Sequence, residues 1–174
     1  VEFFASAYDF LEASKTPHNP CCLVLDVKMP GLDGLELQKV MFKDKYSMPI
    51  VFLTGYGDIP SSVQAMKQGA VTFLTKPVDD QVLIQAVEEG MVKDVVRKKH
   101  LAELESIQAR VDRLTDRERQ ILTLVIAGLL NKQIAAGLGI SEKTVKAHRG
   151  RIMTKMEAGS LAELVRMTDV AGIL

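Results

Sequence analysis

Cys22-Leu23-Val24-Leu25 and Pro49-Ile50-Val51-Phe52-Leu53 are the two stretches that decide the fold of this chain. Each is a continuous apolar run of strand length, without the alternation of a strand that turns one face to water. Such runs suit a parallel sheet covered on both faces. Val71-Thr72-Phe73-Leu74 is a third, and residues 1–5 read as the end of a fourth. Amphipathic stretches at 35–45 and 59–68 lie between them, the second stopped by Gly69. Strand, helix, strand, helix in this order makes right-handed βαβ units and a doubly wound α/β sheet.

From residue 79 the pattern is purely helical. Val82, Leu83, Val87, Met91 and Val95 form a stripe expected to cover the sheet. Arg97-Lys98-Lys99-His100 interrupts it, and a second stripe follows at Leu104, Ile107, Val111 and Leu114. That spacing is a short a/d seam, too brief for a coiled coil. A solvated helix lying on its own domain and a dimer contact both remain open for it. The last sixty or so residues read as four helices. Thr115 with Glu118, and Ser160 with Glu163, have capping-box spacing; Asn131 and Ser141 read as N-caps, and Gly128 and Gly139 as breaks. The expected organisation is residues 1–95, a helical linker at 96–113, and residues 114–174.

The net charge of zero hides a division. Residues 1–90 carry 7 basic and 12 acidic side chains, whereas residues 114–174 carry 9 basic and 6 acidic. A polyanion partner therefore belongs to the second half. No apolar run has the length of a membrane span, and the start resembles no signal peptide. The two cysteines, Cys21 and Cys22, are adjacent, which disfavours a disulfide between them and points to free thiols in a reducing compartment. Cytoplasm is the expectation.

In an open α/β sheet, ligands bind at the carboxyl ends of the strands. Asp26, Thr54 and Lys76 sit just past the ends of the three apolar runs. A carboxylate can attack phosphorus, an ammonium can neutralise the developing oxyanion, and a hydroxyl can hydrogen-bond a phosphoryl oxygen. Taken alone, each has a blander reading as a helix cap, a turn residue or a solvated lysine, and Phe73 as ordinary core.

Leu25-Asp26-Val27-Lys28-Met29-Pro30-Gly31-Leu32-Asp33-Gly34, Phe52-Leu53-Thr54-Gly55 and Thr75-Lys76-Pro77 resemble, in order and spacing, the motifs of two-component response-regulator receivers. The resemblance implies a flavodoxin-like (CheY-like) α/β receiver with strand order 2-1-3-4-5. It makes Asp26 the phosphoacceptor, Thr54 the switch hydroxyl, Phe73 the switch aromatic and Lys76 the phosphate-sensing lysine, with Lys76–Pro77 cis. The family's Mg²⁺ site uses the phosphoacceptor, here Asp26, the backbone carbonyl two residues on, here Lys28, and an acidic pair after the first strand. No acidic pair precedes Asp26 in a suitable setting; Asp9 and Glu12 fall on a helical stretch. The receiver is therefore read as incomplete at its N-terminus, lacking roughly 30 residues of one βα unit.

In the second half, residues 130–138, the Gly139 turn and residues 141–156 read as helix-turn-helix. Val145, Ile152 and Met156 serve the core, with His148 near that edge; Lys143, Lys146, Arg149, Arg151 and Lys155 occupy the other face. A basic helix of this kind fits the major groove, although a solubilising face is the ordinary alternative. Leu114-Thr115-Asp116-Arg117-Glu118, Asn131-Lys132-Gln133-Ile134-Ala135 and the run from Ser141 to Arg149 resemble the LuxR-type output domain of FixJ- and NarL-like regulators. By that resemblance Lys146 and Ala147 read bases, while Thr144 and Arg149 hold phosphates. A third base-reading position falls on Gly150, which has no side chain.

Together the resemblances imply a transcription regulator rather than an enzyme, its receiver joined to an all-α head by a long helix. The expected partners are double-stranded promoter DNA, a sensor histidine kinase, a second copy on activation and RNA polymerase, with no membrane. Phosphorylation would draw Thr54 and Phe73 inward and reshape the face on which the family dimerises. One rival, an aspartyl-phosphate phosphatase, needs an acid two residues after the nucleophile, where this chain has Lys28. The other is a phosphate-blind regulator with a degenerate receiver.

Overall fold

The computed structural model describes residues 1–13, 19–43, 48–55, 63 and 65–173. It divides into two compact units, Val1–Lys98 and Lys99–Leu174.

In the first unit, β1 (Leu23–Asp26), β2 (Ile50–Thr54) and β3 (Thr72–Thr75) form a parallel sheet in that order. Asp26 pairs with Leu53 and Thr54 with Thr75, so the carboxyl ends lie side by side. Successive side chains alternate between the two faces. Leu25, Ile50 and Phe52 pack with Phe10 of α1 (Ala7–Ala13) and with Leu37 and Met41 of α2 (Gly34–Lys43). Val51 and Val71 pack on the other face with Ala86 and Leu83 of α3 (Asp80–Asp112). This is the doubly wound α/β arrangement.

Residues 1–5, read as the end of a strand, join no ladder. An extended run holds its shape only when its backbone groups find partners. Here Phe4 packs edge-to-face on Phe10 at 5.4 Å, while Phe3 stays exposed. Of the stretch expected over 59–68, residues 65–67 are helical and Gly69 closes them at φ +90°. Residues 59–62 and 64 lie outside the described residues, as do 44–45 of the stretch over 35–45.

The expected stripe on α3 is also corrected. Leu83 faces the sheet as expected, together with Ala86, Gly90 and Asp94, whereas Val87 is half-buried and Val82, Met91 and Val95 are exposed. Apolar periodicity cannot see either residue that fixes the contact. A Cβ on Gly90 would fall 2.4 Å from the Cys22 sulfur and 3.1 Å from its Cβ, so a side chain here would have to displace the Cys22 thiol. Asp94 is wholly buried and paired with Arg97 at 2.6 Å and Lys98 at 2.9 Å, and it accepts the Cys21 backbone N–H at 3.0 Å. Burial pushes its carboxyl up, but Lys98, Arg97 and that N–H outweigh it and hold the group below its usual range.

In the second unit, α4 (Asp116–Ile126), α5 (Asn131–Leu138), α6 (Glu142–Met156) and α7 (Leu161–Val170) enclose one core. Ile121, Leu122, Ile134, Val145, Ile152, Met156 and Leu164 are its fully buried members. Ile107, Val111 and Leu114 are buried in the same core. Three of the four seam positions thus lie on their own domain, one of the two readings left open, and residues 99–113 of the expected linker pack as part of this unit.

The caps follow the sequence at three of four helices. Thr115 Oγ1 accepts the Glu118 N–H and Glu118 Oε2 accepts the Thr115 N–H, closing the capping box. Ser141 and Ser160 accept from Thr144 and Glu163. Asn131 differs: Leu130 is the N-cap and Asn131 the first helical residue. Its side chain serves elsewhere, while Gln133 accepts the Leu130 N–H at 2.8 Å.

Candidate functional site

Asp26 ends β1, and α2 begins so close below it that a Cβ on Gly34 would lie 2.3 Å from the Asp26 carbonyl oxygen. Gly34 also donates its N–H to the Val27 carbonyl at 3.0 Å. Asp33 caps α2, accepting from the Glu36 N–H at 2.8 Å, and Glu36 returns the contact at 3.1 Å. Gly31 turns at φ +79°, left-handed backbone that favours glycine. The loop after Asp26 is therefore fixed at both ends, by the strand and by the helix cap.

Three of the four expected crevice residues stand at aligned strand ends. Lys76 follows β3 across a cis Lys76–Pro77 peptide, and its ammonium pairs with Asp26 Oδ2. The Lys28 N–H donates to the other oxygen, Oδ1, at 3.1 Å. Thr54, on the strand between them, is buried. Phe73 lies deeper, stacked on Phe52 with centroids 4.6 Å apart and planes 16° from parallel. Carboxylate and ammonium stay partly open to solvent, at 35% and 45% exposure, so an incoming anion can reach both.

The residues present do not by themselves make a Mg²⁺ site. Asp26 offers one carboxylate and Lys28 one backbone carbonyl, while the ion takes six oxygens in near-octahedral geometry. Both Asp26 oxygens already have protein partners. Among the described residues no cluster of three His, Cys, Asp or Glu side chains could hold an ion.

In the second unit, α5, the Gly139 turn at φ +64° and α6 form the helix-turn-helix. Val145, Ile152 and Met156 of α6 are buried, leaving Lys143, Lys146, Ala147 and Arg151 on the exposed side. Thr144 Oγ1 lies 2.8 Å from the Ser141 hydroxyl at the N-terminus of α6, where backbone N–H groups attract anions. Arg149 is half-buried and donates to Asn131 Oδ1 at 3.0 Å, the bond that takes Asn131 out of its expected capping role. His148 is half-buried, with Nδ1 buried and unpartnered among the described residues.

Lys155 is a correction. Expected on the DNA-facing side, it points into the protein and donates to Glu118 Oε2 at 2.6 Å. Glu118 is only 3% exposed, and the Lys155 ammonium with the Thr115 N–H holds its carboxyl down at about 2. A buried carboxylate needs such a partner, which draws Lys155 off the exposed face. Sequence reading placed Glu118 in a capping box but missed this second task, because the two residues lie on different helices. The thiols serve neither surface: both are free and half-buried, and burial pushes Cys22 up to about 11.

Residues 1–88 match the family of response regulator receiver domains, and residues 112–168 match the luxR family of bacterial regulatory proteins. The chain is 45% identical over 173 residues to nodulation protein W of Bradyrhizobium diazoefficiens, covering 99% of this chain and 76% of that protein. It is 42% identical over 172 residues to the transcriptional regulatory protein FixJ of Rhizobium meliloti, covering 99% and 84%. The solved structure of the response regulator StyR superposes with a TM-score of 0.81 at 45% identity, over 95% of this chain and 83% of that one.

Proposed function

The chain belongs to the response regulators, with a receiver and a LuxR-type DNA-binding domain, and from that premise we propose that phosphoryl transfer to Asp26 controls how α6 engages promoter DNA. It is a two-component transcription regulator, as the transcriptional regulatory protein FixJ that it matches is named. A protein of this type works with a cognate kinase and with DNA.

The observation that carries the reading is the Asp26–Lys76 pair at the carboxyl edge of a three-strand sheet, with Thr54 on the strand between. An Asp26 oxygen attacks the phosphorus of a kinase phosphohistidine; the new O–P bond forms as the P–N bond breaks, and the imidazole, already protonated on its other nitrogen, leaves neutral with that bond's electron pair. The acyl phosphate then sits beside the Lys76 ammonium, which exchanges its carboxylate partner for phosphoryl oxygens. Thr54 turns toward the same oxygens, and Phe73 follows into the space vacated. The phosphate-blind reading is not favoured, since Asp26, Thr54 and Lys76 are all retained together. Mg²⁺ is expected in the family, and Asp26 with the Lys28 carbonyl would be this chain's contribution to holding it.

On DNA, Lys146 and Ala147 read base edges, with Lys143, Thr144, Arg149 and Arg151 along the phosphates. Dimerisation on phosphorylation places two such helices on neighbouring half-sites, turning a weak monomer into an avid pair. Sedimentation with and without acetyl phosphate, in Mg²⁺ buffer and alongside DNA titrations, tests this. The phosphorylated chain should sediment as a dimer and bind a two-half-site duplex more tightly. A phosphorylated chain that stays monomeric and binds no better would contradict it.

A further inference from the structure

The C-terminal end of α6 is held in an unusual way. Its cap, Glu157, has φ 55° and ψ 34°, left-handed backbone that a side chain makes unfavourable and that glycine usually occupies. The carboxylate of Glu157 meets Arg110 at 3.1 Å and Arg113 at 3.3 Å, at the end of α3 and just after it. Arg110 also donates from its other terminal nitrogen to the Met156 carbonyl at 3.2 Å. That carbonyl is one of the four that a helix leaves unsatisfied at its C-terminus, where the helix dipole favours a cation.

These contacts stand on a packed base. Ile107 and Val111, on either side of Arg110, are buried in the core that also holds Ile152 and Met156. The segment matching the luxR family starts at residue 112, so Ile107, Arg110 and Val111 all precede it. On its other side α6 is tied to α4 by Lys155 and Glu118.

From this geometry we infer that Arg110 and Glu157 are positioning residues for DNA reading: the last turns of α3 set the pose of α6 through them. Neither is assigned a contact with DNA. They act by fixing the end of the helix whose middle carries Lys146 and Arg149. The inference rests on α6 being the DNA-reading helix, and its test is built to separate the two ideas.

Glu157→Gly is the decisive variant in the whole chain, because it keeps the left-handed cap while removing the carboxylate. The probes are the tightest duplex recovered from a random pool by the unmodified chain and a random-sequence duplex of equal length. Removing a negative charge strengthens binding to any DNA, so the quantity read is the ratio of the two affinities. The melting temperature should hold or rise, as expected for glycine at such a cap. The affinity ratio should fall three- to tenfold. Arg110→Ala should lower it similarly, and the double variant should lose less than the product of the two, as for partners that share one contact while each also makes another. An unchanged ratio in Glu157→Gly, or losses that multiply in the double variant, overturns the proposal. If Arg110→Ala fails to fold, Glu157→Gly alone decides. Loss of the ratio in Lys146→Ala but not in Glu157→Gly would leave the DNA-reading role of α6 standing and remove the clamp.

Discussion

The molecule holds two lysine–carboxylate pairs of the same chemistry and opposite character. Lys76 and Asp26 are 45% and 35% exposed, whereas Lys155 and Glu118 are 33% and 3% exposed. The first pair is one that water and an incoming phosphate can enter, so it contributes little to stability and stays available for exchange. The second has its carboxylate buried, tied into a capping box and held far below the usual range. Burial decides which pair can do chemistry and which holds a helix in place.

That comparison breaks most visibly at Asp26. Asp26→Asn should abolish the gain of about 80 daltons, one phosphoryl group, on treatment with acetyl phosphate, while the first unit stays folded. A base-labile adduct that persists in the variant would remove Asp26 from its role. Next in size is the base on which the second unit rests. A chain begun at Arg113 loses Ile107 and Val111 from the core, each worth about 1.5–3 kcal/mol when fully buried. It should therefore melt well below a chain begun at Lys99, and equal melting would show that these residues are dispensable.

The second pair should respond to mutation and to acid. Glu118→Ala should cost about 1–3 kcal/mol through loss of the cap and the ion pair, discounted for the partial exposure of Lys155. The folded Glu118 carboxyl lies at about 2 against an ordinary 4.5, so its stabilisation is complete above pH 4.5 and fades as pH falls toward 2. Acid unfolding curves of Glu118→Gln should lack this component; superimposable curves would contradict it. The smallest effects concern DNA. Lys146→Ala should weaken a selected site by about 1–3 kcal/mol, and Arg149→Ala should weaken all sequences alike. Lys143→Ala should reduce the slope of log affinity against log salt by about 1, while Lys155→Ala should leave it unchanged. A slope that drops equally for both lysines would return Lys155 to the DNA face.

Much of this was legible in the sequence because it is written in local patterns. Apolar runs ending in Asp26, before Thr54 and before Lys76 carry both the sheet and its crevice, and the Thr115, Ser141 and Ser160 caps follow from spacing alone. What escaped is non-local or carried by residues that periodicity ignores. Gly90 and Asp94 seat α3 on the sheet, so of the expected stripe Leu83 packs there while Val82, Met91 and Val95 face outward. Asn131 and Lys155 looked like a cap and a DNA contact until tertiary packing brought Arg149 and Glu118 to them. Residues 1–5 had strand composition but no ladder.

The central claim is that a phosphoryl group on Asp26 governs DNA binding by α6. The most direct measurement is DNA affinity with and without acetyl phosphate, for the unmodified chain and for Asp26→Asn, on one selected duplex. The account predicts that the phosphodonor tightens binding of the unmodified chain and does nothing for the variant. Equal responses in both proteins, or no response in a chain shown by mass to carry the phosphoryl group, would contradict it.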